Sequence, residues 1–143
     1  MAKDAMHTAV RHALEKDGWT ITHDPLQIPR GKQLLFIDLG AEMPLAAERE
    51  GRKIAVEIKS LVGGKEMPEF ERALGQYFLY RNLLRYLEPE RTVYLAVANT
   101  AYNAHFDSLE GMRFMNDDQI RLIVFNEKEE TILKWIEPPI MLL

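Results

Sequence analysis

The stretch KIAVEIKS, residues Lys53–Ser60, predicts a buried strand, the third of an antiparallel meander. Its apolar side chains recur at every second position, which is the period of a β-strand. The opposite face carries Glu57 and Lys59, a carboxylate and an amine two residues apart. This pair is either a solvated ion pair on an exposed sheet face, where it adds little to stability, or part of a functional site.

The sequence on both sides of this strand predicts a mixed sheet flanked by helices. Before it we expect a helix over 4–18, an extended segment over 19–28, a strand KQLLFIDLG over 32–40 and a short strand MPLAAERE over 43–50. After it we expect a helix over 69–87, a strand over 91–99, a short helix over 101–112 and strands over 120–126 and 131–137. The predicted order is helix, three-strand meander, helix, strand, helix and strands, in one α/β domain over residues 1–143.

Composition limits the class of protein. The chain is 47% hydrophobic and 28% charged, as in a globular protein, and it lacks cysteine, which excludes disulfides and thiolate metal sites. No segment approaches the roughly 20 apolar residues of a membrane span, and MAKDAMHTAV has no signal-like apolar run, so we expect a cytoplasmic protein. The net charge of −4 disfavours tight, non-specific binding of nucleic acid.

Two acidic residues and a lysine form the predicted site. Asp38 lies near the end of the first meander strand, and Glu57 and Lys59 lie on the third, so the strands can bring the three together. The two carboxylates and the backbone carbonyl of Ile58 would form the all-oxygen site that Mg²⁺ or Mn²⁺ prefers. Such a metal polarises a phosphoryl oxygen and lowers the pKa of a bound water, which Lys59 would orient.

This pattern resembles the signature of the PD-(D/E)xK nucleases, in which Asp38, Glu57 and Lys59 would take the acid, acid and lysine positions. The resemblance implies a restriction-endonuclease-like fold and hydrolysis of phosphodiesters. The sequence departs from the signature at Ile37, which stands where the signature has proline.

Three further residues are candidates for the site. Gln76 and Tyr80 share one helix face at i, i+4 spacing, which is similar to the Q-x-x-x-Y of some branches of that superfamily. The resemblance implies that Gln76 supports the site and that Tyr80 reaches a phosphate or a base. It also implies a first-helix side chain at the metal or a phosphate, for which His7 is better placed than Glu15. Core packing of Tyr80, solvation of Gln76 and a hydrogen-bonded His7 are the alternatives.

Blocks across the chain also resemble a narrower family. They are KDGWTITHDPL, IDLGAE, AAERE, IAVEIKS, ALGQYFLYR, PERTVYLAV and LIVFNEKEETILKWI. In this order they are similar to the XisH-type fdxN element excision controlling factors of cyanobacteria. The resemblance implies control of the excision of a DNA element during heterocyst development, beside a recombinase, with DNA and a small XisI-type protein as partners.

Two functions follow from these observations. The first is metal-dependent hydrolysis of DNA. The second is a catalytically silent accessory factor that binds an XisI-type protein or a recombinase–DNA complex. The complete acid–acid–lysine set favours the enzyme, whereas the acidic net charge and the apolar IMLL at 140–143 favour the accessory factor. The same apolar end is compatible with a homo-oligomer.

Overall fold

The computed structural model describes residues 2–43, 51–61 and 66–140. Within these ranges the chain forms four helices and eight strands. They are α1 (Ala2–Lys16), β1 (Thr20–His23), β2 (Leu26–Arg30), β3 (Gln33–Ile37), β4 (Leu39–Met43), β5 (Arg52–Lys59), α2 (Glu66–Leu87), β6 (Arg91–Ala98), α3 (Asn99–His105), α4 (Leu109–Asp118), β7 (Leu122–Asn126) and β8 (Thr131–Ile136).

Six of these strands form one mixed sheet in the order β1-β4-β5-β6-β7-β8, and β2 and β3 form a separate hairpin. The two pairings of β6, with β5 and with β7, are parallel, and the other pairings are antiparallel. Helix α2 connects the parallel strands β5 and β6, as a crossover between neighbouring parallel strands requires. The predicted α/β class, a mixed sheet with flanking helices, is confirmed.

The two faces of β5 pack against different helices. Ile54 and Val56 belong to the buried cluster that contains Leu14 of α1. Ala55 belongs to the other buried cluster, which contains Tyr77 of α2. Because side chains alternate along a strand, Glu57 and Lys59 lie on the face of β5 that α2 covers.

The predicted strand over 32–40 is wrong as a single element, because the structure divides it at Asp38. Strand β3 pairs with β2, whereas β4 pairs with β1 and β5. The carboxylate of Asp38 accepts a hydrogen bond from the backbone of β5, so this position is fixed by its side chain. The other strand predicted for the meander, over 43–50, lies outside the described residues from position 44 onward.

The predicted short helix over 101–112 is two helices. Helix α3 ends at His105, and α4 starts after Ser108, whose Oγ accepts a hydrogen bond of 2.9 Å from the N–H of Gly111. A serine at this position satisfies one of the N–H groups that have no partner in the first turn of a helix. In the described part of the chain, every helix is too short or too polar to cross a bilayer.

Candidate functional site

The carboxylates of Asp38 and Glu57 converge where β4 meets β5. Leu39 pairs with Val56, so Asp38 and Glu57 occupy the next opposed positions of the antiparallel ladder. The N–H of Asp38 donates to Oε1 of Glu57 at 3.3 Å. The N–H of Ile58 donates to Oδ2 of Asp38 at 2.8 Å. Each carboxylate therefore holds the backbone of the opposing strand, which fixes the two groups close together.

Lys59 completes the cluster that the sequence predicts. Its Nζ lies 3.3 Å from Oε2 of Glu57. The side chain of Glu57 is only 7% exposed and that of Lys59 is 23% exposed. The pair is therefore recessed into the protein, and the alternative of a solvated ion pair on an open sheet face is wrong.

The electrostatics of the cluster favour the addition of positive charge. Burial, and then the neighbouring charge of Asp38, raise the pKa of Glu57 to about 7, although Lys59 opposes this shift. Lys59 pairs with Glu57 alone among the contacts described, and the two neighbouring carboxylates disfavour each other's ionised form. A divalent cation at this position would remove that repulsion.

Helix α2 carries two further candidate side chains, Tyr80 and Gln76. Tyr80 is buried, and its pKa is raised by burial and then by the charges of Glu57 and Asp38, so the phenol lies within their field. Gln76 lies one turn earlier on the same helix face. Its Oε1 is buried, and it has no hydrogen-bond partner among the residues that the structure describes. A buried amide oxygen in this state is able to accept a hydrogen bond from a bound molecule.

His7 has a different environment. Its Nε2 lies 2.7 Å from Oδ1 of Asp24, and Arg11 contacts the other oxygen of the same carboxylate. Helix α1, which carries His7, packs against the Ile54–Val56 face of the sheet. In the described ranges, the hydrogen bonds of His7 therefore join α1 to the turn between β1 and β2, rather than to Asp38 or Glu57.

The oxygen atoms of the cluster suit a divalent cation that retains some of its water ligands. In the ranges 2–43, 51–61 and 66–140, no three His, Cys, Asp or Glu side chains cluster as metal ligands. The candidate ligands are therefore the two carboxylates of Asp38 and Glu57 and the carbonyl of Ile58. Mg²⁺ is commonly held by one or two carboxylates and completes its octahedron with water and substrate oxygens, so this set suits Mg²⁺ or Mn²⁺.

The β2–β3 hairpin that precedes Asp38 is not among the elements predicted from the sequence. Strand β3 ends at Ile37, and its exposed side chains Leu34 and Phe36 lie within four residues of the carboxylate. The signal for this hairpin is Gly31, which has a φ of 59° between two apolar segments, as tight turns often require. The uninterrupted apolar run of residues 34–37 suggested a longer strand instead.

The fold and this cluster define the class of protein: a mixed-sheet α/β protein with an acid–acid–lysine cluster beside a crossover helix. A family model described as XisH protein matches residues 1–133. The chain belongs to the XisH family.

Two solved structures are similar over nearly the whole chain. One is an XisH family protein from Nostoc punctiforme PCC 73102, with 41% identity and a TM-score of 0.80, covering 93% of this chain and 99% of that one. The other is an fdxN element excision controlling factor protein from Anabaena variabilis, with 40% identity and a TM-score of 0.81. The similarity covers 93% of this chain and 98% of that one. Among curated proteins, none matches the chain.

Proposed function

We propose that this chain is a DNA-element excision controlling factor that hydrolyses DNA phosphodiesters with Mg²⁺ or Mn²⁺ on a restriction-endonuclease-like, PD-(D/E)xK fold. One observation carries the proposal: Asp38 and Glu57 meet at adjoining strands with Lys59 at 3.3 Å from Glu57. The likeness to the fdxN element excision controlling factor protein of Anabaena variabilis supports the role in element excision. In this context the partners are DNA and a small XisI-type protein, in the cytoplasm of a differentiating heterocyst.

Each residue of the cluster would have its own role in phosphodiester hydrolysis. Asp38, Glu57 and the carbonyl of Ile58 would hold the cation, which polarises a phosphoryl oxygen. The ammonium of Lys59 donates hydrogen bonds to an attacking water and offsets negative charge that develops on the phosphate. Tyr80, whose pKa is raised, stays protonated and donates to a phosphate oxygen. Gln76 offers its unpartnered Oε1 as an acceptor that orients the water.

A catalytically silent accessory factor is the second candidate, and the hydrogen bonds of the cluster favour it. Asp38 already accepts from Ile58, and Glu57 already pairs with Lys59, so the cluster holds itself together by protein contacts alone. Such a cluster could serve only to fix β4 against β5. In that case the protein acts by binding an XisI-type protein or a recombinase–DNA complex.

Cleavage assays separate the two candidates. Supercoiled plasmid and single-stranded DNA are incubated with the protein in Mg²⁺ or Mn²⁺, beside Glu57→Gln and Lys59→Ala. Loss of one electrostatic contact to the reacting phosphate typically costs 10²–10³-fold, so each variant is expected to cut at least ~100-fold more slowly. Glu71→Gln and Lys128→Ala change the same residue types at exposed positions and are expected to cut like the unchanged protein.

Two results would reject the enzyme. One is a protein that leaves every DNA substrate intact in both metals. The other is cutting that survives in both site variants, which indicates a contaminating nuclease. Size-exclusion chromatography with an XisI-type protein then tests the accessory factor, since a complex of defined mass is its direct expectation.

A further inference from the structure

The β2–β3 hairpin presents an apolar outer face that the rest of the described chain leaves uncovered. Its inner residues Leu26, Ile28 and Ile37 are buried in the cluster that contains Tyr77 and Tyr80 of α2. Cross-strand partners lie on one face of an antiparallel pair, and Phe36 pairs with Gln27 while Leu34 pairs with Pro29. These four residues form the outer face, on which Leu34 is 47% and Phe36 is 49% exposed.

The hairpin adjoins the candidate site through the chain itself. Phe36 precedes Asp38 by two residues, which is about 7 Å along an extended strand. Strand β3 also contacts β5, the strand that carries Glu57 and Lys59. A polymer that reaches the carboxylates therefore has the hairpin as an adjoining surface.

The charge of the hairpin is opposite to that of the whole chain. Residues 25–37 contain Arg30 and Lys32 and no acidic residue, whereas the chain has a net charge of −4. Both basic residues are exposed, and they flank Gly31 at the turn. The turn lies about 20 Å from Asp38 along the strand, so a chain of phosphates can contact the turn and the carboxylates together.

We propose that this hairpin is an arm that binds an unpaired DNA strand and leads it to the Asp38–Glu57 site. The inference rests on the proposed function, because it names the substrate of that site. Phe36 stacks on a base, Leu34 packs against the neighbouring nucleotide, and Arg30 and Lys32 contact phosphates. Aromatic platforms combined with a few cations are typical of sites for single strands.

The composition of the arm favours a single strand over a duplex. Stacking on Phe36 needs an open base face, which the neighbouring base pairs of a duplex cover by stacking. Tight duplex binding in proteins usually involves about 6–10 phosphate contacts, and the hairpin offers two cations. If a protein partner buried the apolar face instead, its affinity would not depend on salt concentration through Arg30 and Lys32.

Binding is measured by fluorescence anisotropy in EDTA, with a labelled oligonucleotide and its duplex. We expect tighter binding of the single strand and a loss of roughly 10-fold in affinity for Phe36→Ala. Arg30→Gln/Lys32→Gln is expected to make the slope of log affinity against log salt shallower by about 1.4, since each phosphate contact on a single strand contributes about 0.7. Thermal melts verify that these exposed substitutions leave the fold intact.

Matched controls use the same residue types elsewhere on the surface. Tyr86→Ala removes an aromatic side chain that is 83% exposed, and Arg113→Gln/Lys128→Gln removes two exposed cations. Both controls are expected to bind like the unchanged protein. If the controls weaken binding as much as the hairpin variants do, or if the hairpin variants bind normally, the arm is rejected.

The remaining outcomes separate the arm from the proposed function. Hairpin-dependent binding without cleavage in any metal supports the arm and rejects the nuclease. Cleavage that the hairpin variants leave unchanged supports the nuclease and rejects the arm. Absence of single-strand binding, with a change in oligomeric mass for Leu34→Ser/Phe36→Ser, rejects the arm and assigns this face to a protein contact.

Discussion

The buried carboxylate of Glu57 makes the stability of the metal-free protein depend on pH. Burial and the charge of Asp38 raise its pKa from the ordinary value of 4.5 to about 7. A raised pKa means that the folded protein binds the proton more tightly than the unfolded chain does. The resulting stabilisation is complete below pH 4.5 and is lost as the pH rises through about 7.

The variant Glu57→Gln tests this dependence, because glutamine resembles the protonated carboxyl at every pH. One pKa unit corresponds to about 1.4 kcal/mol. The free energy of unfolding of the variant, relative to that of the unchanged protein, should therefore rise by on the order of 2–3 kcal/mol between pH 5 and pH 9. Urea unfolding in EDTA at several pH values measures this difference. Glu71→Gln is the exposed control and should show a constant difference; a constant difference for Glu57→Gln would contradict the prediction.

Only part of this site could be predicted from the sequence. The spacing of Glu57 and Lys59 on a strand is a local pattern and is visible in the sequence. The contact of Asp38 with Ile58 depends on the register between two strands, and register is set by tertiary packing. For the same reason, the sequence indicated that Gln76 faces the same side as Tyr80 but could not show that its oxygen is buried without a partner.

At the scale of secondary-structure elements, two glycines in helices should respond to alanine in opposite directions. Gly75 lies inside α2, is exposed, and has open space around the position of an added Cβ. Alanine there should raise the free energy of unfolding by up to about 1 kcal/mol, since glycine is the poorer helix former. At Gly111 in α4, an added Cβ would lie 2.3 Å from the carbonyl oxygen of Phe106. Alanine there should cost about 1–3 kcal/mol through overpacking.

Chemical denaturation of the two variants checks this pair directly. Both substitutions are chemically identical, so a difference in helix propensity cannot explain opposite signs. Equal changes in the free energy of unfolding at Gly75 and Gly111 would show that the turn before α4 moves at little cost. That result would contradict the close packing of Gly111 against Phe106.

The elements that the sequence predicted well are those with a strong local period. Helices α1 and α2 and strands β5 to β8 fall within the predicted segments to within a few residues. The strand predicted over 32–40 failed because only the single residue Asp38 separates the apolar run of residues 34–37 from Leu39, with no glycine or proline to mark a turn. The break arises from a long-range hydrogen bond between Asp38 and β5, which no local pattern encodes.

At the scale of the whole molecule, the sheet separates two apolar clusters, and the candidate site lies beside only one of them. The α1 cluster is extended by Trp19 and Trp135, whose rings lie 5.7 Å apart. The α2 cluster contains Tyr80 next to the carboxylates. A ligand that binds the site therefore couples β4, β5 and α2, and its binding should stabilise the folded protein as a whole.

Metal binding tests this coupling without an activity assay. A cation that binds only the folded protein stabilises it by about 2.7 kcal/mol at 100 times its dissociation constant. For a chain of 143 residues, this corresponds to a rise of about 5–10 °C in the melting temperature in Mn²⁺ relative to EDTA. Asp38→Asn should lose most of the rise, while Asp107→Asn, an exposed control, should keep it. An equal rise in both variants would place the cation elsewhere on the molecule, and no rise in the unchanged protein would leave the Asp38–Glu57 cluster as a structural tie between β4 and β5.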